Sequence, residues 1–211
     1  MRLLVLSALV ASVLVPAALG AKIPAGGHTD AGMAAADRAL IGVRNLGAGW
    51  TAGPAGGIER LGCSATTPAA IVETGTATSP TFEASSAGPF VSQAAFVYET
   101  EAQARSMWSM VAGPATFGCL AKSVAGAGAK GVRFEIVHRN RLSRSAAGSR
   151  SYAYRIMLRA ITKDQKVNAY VDLVLLERGS ALTALSFAGF AEPVATSLEL
   201  TAVRAASTRL G

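Results

Sequence analysis

Histidine, cysteine and aromatic residues are scarce in this chain. Two histidines and two cysteines occur in 211 residues, and Phe, Trp and Tyr together make up 6%. Two cysteines without nearby histidines cannot build a tetrahedral zinc set. No HExxH pair and no EF-hand loop occurs, so no metal is expected. A serine hydrolase needs a base to take the hydroxyl proton. There is no GxSxG elbow; His28 lies in the leader, and nothing local suggests that a serine and an acid converge on His138. Gly126-Ala-Gly128-Ala-Lys130-Gly131 spells GxGxxG, but a helix precedes it and a strand follows. A dinucleotide loop requires the reverse order, with a helix N-terminus meeting the phosphates. No cofactor is expected.

Long apolar runs are also missing, except at the start. Met1-Arg2 is followed by Leu3 to Val15, in which only Ser7 and Ser12 are polar; then come Pro16 and a group of small residues. This is the pattern of a secretory signal peptide over residues 1–20, cleaved after Gly20 or Ala21. The run is shorter than the roughly 20 residues of a membrane-spanning helix, so no transmembrane anchor is expected. A flexible leader, residues 21–29, contains His28, expected to be solvated. Residues 30–211 form a single domain with room for a real core. The expected location is outside the cytoplasm, secreted or in a periplasm-like envelope space.

Export shapes two further readings. An even number of cysteines favours one disulfide, Cys63–Cys119, over two buried thiols. The bridge would close a long loop, worth roughly 4 kcal/mol on the chain-entropy model. Acidic residues number 13 against 20 Lys and Arg. In the cytosol such an excess suggests nucleic acid. Outside it, no nucleic-acid partner is expected, and an anionic envelope lipid or glycan takes its place.

Periodicity gives the elements. Asp30 is positioned to cap a helix to about Asn45, with Met33, Ala36, Leu40 and Val43 on one face. Thr51 to Gly88 is rich in Gly, Ala, Ser, Thr and Pro and reads as loop, with one short strand near Thr81–Ala84. Phe90–Glu99 alternates as a strand. Thr100 and Gln103 have capping-box spacing for a helix with Ala104, Met107, Trp108 and Val111 on its stripe. Pro114 opens another helix, facing inward with Phe117, Leu120, Ala121 and Val124. Four alternating strands follow, separated by short gaps, which means antiparallel hairpins. Pro193 opens a last helix to about Arg209. The fold class is α+β: one antiparallel sheet of about five strands, with helices mainly on one face.

Charge is unevenly spread. Lys130 to Lys166 holds ten basic and two acidic residues. Strand alternation places Arg133, Arg139, Arg155 and Arg159 on one face, joined by Met157 and Tyr170. Guanidinium groups suit an anionic head, while Met and Tyr suit an apolar part. The competing reading is a solvated, charge-laced sheet face. Glu135 and Asp172 are the best carboxylates for a hydrolase, but arginines around them favour ion pairs over general acid chemistry. Within His138–Arg150, Ser145–Ser149 reads as a solvated hairpin tip.

The layout of a capped helix, Gly49-Trp50, Cys63, FVSQAAFVYETEAQARSMW, FGCL, then hairpins and a final helix resembles the extracellular sensor domain of mycobacterial serine/threonine protein kinase H and its stand-alone exported relatives. The resemblance spans roughly Asp30 to Leu210. It implies an α+β fold with a ligand-binding cleft and supplies no catalytic residues. Kinase-linked members carry two disulfides, whereas this chain can form one; the expectation is a stand-alone relative without a kinase domain. The resulting expectation is a non-catalytic, sensor-like domain for an anionic or amphiphilic envelope molecule. The alternatives are a carrier enclosing a lipid between sheet and helices, and a secreted hydrolase.

Overall fold

A computed structural model describes residues 27–55, 71–126 and 132–210. The expected signal peptide, most of the leader, Cys63 and the glycine-rich connection 127–131 lie outside the described residues.

The elements run α1 (Asp30–Ala39), β1 (Thr51–Ala55), β2 (Glu73–Thr78), β3 (Pro80–Glu83), β4 (Phe90–Tyr98), α2 (Glu101–Val111), α3 (Pro114–Gly126), β5 (Arg133–Leu142), β6 (Arg150–Ile161), β7 (Lys166–Arg178), β8 (Ala181–Phe190) and α4 (Thr196–Arg209). All eight strands join one antiparallel sheet in the order β1-β3-β4-β8-β7-β6-β5, with β2 also paired to β4. The α+β class holds, with eight strands rather than five.

Helices lie on both faces, not mainly on one. Ala104, Met107 and Val111 of α2 and Phe117, Leu120 and Ala121 of α3 pack on Phe96, Ile156, Leu158, Val171 and Leu182. Ala36 and Ala39 of α1 and Ala202, Val203 and Ala206 of α4 pack on Val91, Ala95, Val174, Leu185 and Phe187 across the sheet. The central strands explain this. β4 and β8 are buried at almost every position, so both faces must be covered.

β1 and β2 were expected to be loop. β2 (ETGTAT) alternates in burial, but its inward residues are Glu73, Gly75 and Ala77. Gly75 serves a backbone-to-backbone contact with α1. A Cβ on Gly32 would come within 2.1 Å of the Thr74 carbonyl oxygen, and one on Gly75 within 2.1 Å of the Gly32 carbonyl. The buried stripe of α1 is accordingly Gly32, Ala36 and Ala39.

α1 starts one residue earlier than expected, because Thr29 accepts a hydrogen bond from Gly32 N–H at 3.0 Å. It stops at Ala39, short of Asn45, because Gln93 captures its end. The buried Gln93 amide donates to Ala39 O (3.0 Å) and to Thr183 Oγ1 (2.8 Å), while its oxygen accepts from Ile41 N–H (2.6 Å). Satisfying every polar atom of a buried amide makes it a firm tie between layers. The Thr100 cap of α2 forms as expected, accepting from Gln103 N–H at 3.3 Å. Among the described residues no helix is long and apolar enough to cross a membrane.

Candidate ligand-binding face and charge cluster

The face that carries α1 and α4 is unevenly covered. α1 sits over β2 and β4, and α4 over β7 and β8. Among the described residues, the helices of this face pack little on its outer part, on β5, β6 and the start of β7. Register places its residues in rows: Met157 opposite Tyr170, and Arg159 between Glu135 and Asn168. Arg133 lies opposite Ile161 in the next row. Met157, Arg159, Asn168 and Tyr170 are half-buried, and Arg133 is exposed. Arg133 pairs with Glu135 at 2.9 Å. Arg159 makes no ion pair among the described residues.

Arg139 is not part of this surface. The β5–β6 register slips between Ile136 and His138, so that Arg139 pairs with Ile156 and His138 with Met157. One extra residue inverts the alternation beyond it. Arg139 therefore lies on the α3 side, where a Cβ on Gly118 would meet its Nη1 at 3.3 Å. Arg141 shares that parity, and its guanidinium rests 4.8 Å from the centre of the Tyr152 ring.

Arg155 is on the expected face but is already neutralised. Its Nε and Nη2 donate to both oxygens of Asp172, at 2.6 and 2.5 Å, directly across the β6–β7 ladder. Asp172 is 1% exposed, so it is not an outward-facing carboxylate. With both oxygens held by Arg155 under α4, it is out of reach of a substrate. The hydrogen bond to Asp172 raises the Arg155 pKa, against the opposing effect of burial.

Two residues that the sequence reading passed over complete this cluster. Glu199 of α4 is fully buried and accepts from Arg144 Nε. Its other oxygen lies 3.6 Å from Arg155 Nη2 and has no hydrogen-bond partner among the described residues. Burial, followed by the neighbouring Asp172, pushes the Glu199 carboxyl up to about 8, while Arg144 pulls the other way. A signal for Glu199 was present in the sequence. It occupies the stripe Glu199, Ala202, Val203, Ala206, and a charge on an otherwise apolar stripe implies a buried partner.

The β5–β6 hairpin tip is docked rather than free. Arg144 Nη2 donates to Thr196 Oγ1 at 3.1 Å, and Ser149 Oγ lies 2.7 Å from Ser207 Oγ. A pocket of about 390 Å³ opens here, bordered by Arg141 to Ser145 on one side and by Ser151 and Ala153 on the other.

Elsewhere, His28 Nε2 lies 3.1 Å from the buried Glu73 carboxylate, which ties the end of the leader to β2. Cys119 is not a free thiol. Its expected partner Cys63 lies outside the described residues. Among the described residues no group of three or more His, Cys, Asp or Glu could hold a metal ion. No protein-family model, curated protein or solved structure matches the chain.

Proposed function

We propose that the chain is a non-catalytic, exported binding domain that takes an anionic or amphiphilic envelope molecule on the open part of its sheet. One observation carries the reading: among the described residues Arg159 stands without an ion pair, beside Met157 and Tyr170, on the part of the face away from α1 and α4. An unpaired, half-buried guanidinium next to a thioether and a phenol suits an anionic head with an apolar neighbour. Arg133 lies at the rim, paired with Glu135. The site is therefore Arg133, Met157, Arg159 and Tyr170, with Asn168, and without Arg139 or Arg155. The kinship with the kinase H sensor domain is part of the same proposal, as is the secreted or envelope location.

The lipid-carrier alternative has less behind it. The space between sheet and helices lined by Val111, Phe117, Leu120, Leu173 and Leu175 does not admit a water molecule. The hydrolase alternative loses Asp172 to its pair with Arg155.

Mass spectrometry of organic extracts from the purified protein tests the reading. The expected result is an anionic species that co-purifies with the natural chain and is lost with Arg159→Glu. Absence of any bound anion, together with no binding to phosphatidylglycerol vesicles at low salt, contradicts it.

A further inference from the structure

A second feature lies at the other end of the β5–β6 hairpin and does not depend on the open-face reading. Arg159 and Ala153 are six residues apart on β6, about 20 Å along an extended strand. The hairpin pocket at the Ala153 end has its own set of donors.

Arg144 is the key group. Its side chain is 9% exposed and held in place from three directions. Nε donates to Glu199, Nη1 to the Ser143 carbonyl (3.0 Å) and Nη2 to Thr196 Oγ1 (3.1 Å). A guanidinium carries five N–H donors. Two therefore remain, one on each terminal nitrogen, on a side chain that borders the pocket. Arg141 is also on the border, but its guanidinium lies on the other face of the sheet, over the Tyr152 ring. The hydroxyls of Ser143, Ser145 and Ser151 make no hydrogen bond among the described residues.

We propose that this pocket binds a phosphoryl group, held by Arg144 with the hydroxyls of Ser143, Ser145 and Ser151. A phosphoryl group offers three strong acceptor oxygens and up to two negative charges, and it matches a pre-positioned guanidinium fork. A carboxylate, with two oxygens and one charge, would leave several of these donors unused. The charge balance of the neighbouring cluster points the same way. Burial raises Glu199 toward its neutral form, which leaves Arg144 and Arg155 facing Asp172 alone and one positive charge in excess. At about 390 Å³ the pocket exceeds what a bare phosphate fills and lies within the range of small-molecule sites. Leu142 and Ala153 provide an apolar side for an attached organic part, such as a glycerol or sugar.

The test uses the folded chain with two soluble probes, inorganic phosphate and glycerol 3-phosphate, titrated at low salt and followed by NMR. Vesicles of phosphatidylglycerol in phosphatidylcholine form a third arm. Saturable binding of either soluble probe is expected. The pair Ser143→Ala/Ser151→Ala should weaken it by about tenfold or more, as loss of charge-assisted hydrogen bonds would. Arg144→Lys keeps the charge but loses the fork and should also weaken it. Lys163→Gln, at the opposite end of β6, controls for general electrostatic attraction and should leave binding unchanged. Vesicle binding sensitive to the same variants assigns a lipid headgroup; soluble-probe binding alone assigns a free phosphorylated molecule. Failure of both soluble probes to saturate, or affinities equal in the natural chain and the folded pocket variants, overturns the proposal. Circular dichroism confirms folding of each variant.

Discussion

Arg139 and Arg155 lie on opposite faces of the sheet. Arg139 pairs with Ile156, whereas Arg155 pairs with Asn140. A single bulge, between Ile136 and His138, separates Arg139 from the regular alternation that begins at Arg133. The consequence for binding is direct. Arg139→Glu should leave association with an anionic amphiphile unchanged, while Arg159→Glu should reduce it by about tenfold or more. Equilibrium binding of both variants at one low salt concentration checks this. Equal losses would place the ligand elsewhere.

The Arg155–Asp172 pair should behave as a structural tie. Removing one member leaves the other buried without its partner. Asp172→Leu should therefore cost about 3–5 kcal/mol, and Arg155→Met/Asp172→Leu should recover a large part of that. Urea denaturation of the two single variants and the double variant measures the coupling. Additive losses would show that the pair is not coupled.

Stability should depend on pH through Glu199. The ordinary value of its carboxyl is 4.5, and in the fold burial and Asp172 raise it to about 8. The folded state thus holds a proton that the unfolded chain gives up. Stability from this group is complete below about pH 4.5 and is lost as the pH rises toward about 8. Arg144, Arg155 and Asp172 are the charged groups around it. Glu199→Gln, permanently neutral, should flatten the profile between those limits. Urea midpoints measured across that range test it; a natural chain that gains stability on that side of neutrality would refute the assignment.

Gly32 and Gly75 set the distance between α1 and β2. Either Gly32→Ala or Gly75→Ala forces a Cβ against backbone at 2.1 Å. Each should destabilise by about 1–3 kcal/mol, through overpacking that backbone cannot relieve. Protection of the α1 amides from hydrogen exchange should fall with it. Unchanged thermal stability and exchange in either variant would contradict the contact.

These positions also mark what sequence patterning reveals. Strands with large alternating side chains, such as Phe90–Tyr98 and the β6–β7 hairpin, were legible, as were the Thr100 cap and the Phe117–Leu120–Ala121 stripe. β2 was hidden because its buried face is Glu73, Gly75 and Ala77, one charged residue and two small ones with no large apolar side chain to mark the alternation. Helix placement on both faces was hidden for a related reason. α1 buries only glycine and alanine, and α4 mixes Ala202, Val203 and Ala206 with Glu199 and Ser207, so both apolar stripes are weak. The site was partly legible. Alternation correctly placed Arg133, Met157, Arg159 and Tyr170 together, and a bulge with no sequence marker removed Arg139. Arg144 looked like part of a wet loop because its partners, Glu199 and Thr196, arrive from the far end of the chain.

The most direct measurement is an NMR titration of the labelled protein with dodecanoate, a carboxylate amphiphile, below its micelle concentration. The expected outcome is a saturable set of shifts on Met157, Arg159, Asn168 and Tyr170 that Arg159→Glu abolishes. Shifts confined to other surfaces, or no saturable shift at all, would contradict a ligand-binding role for the open sheet face.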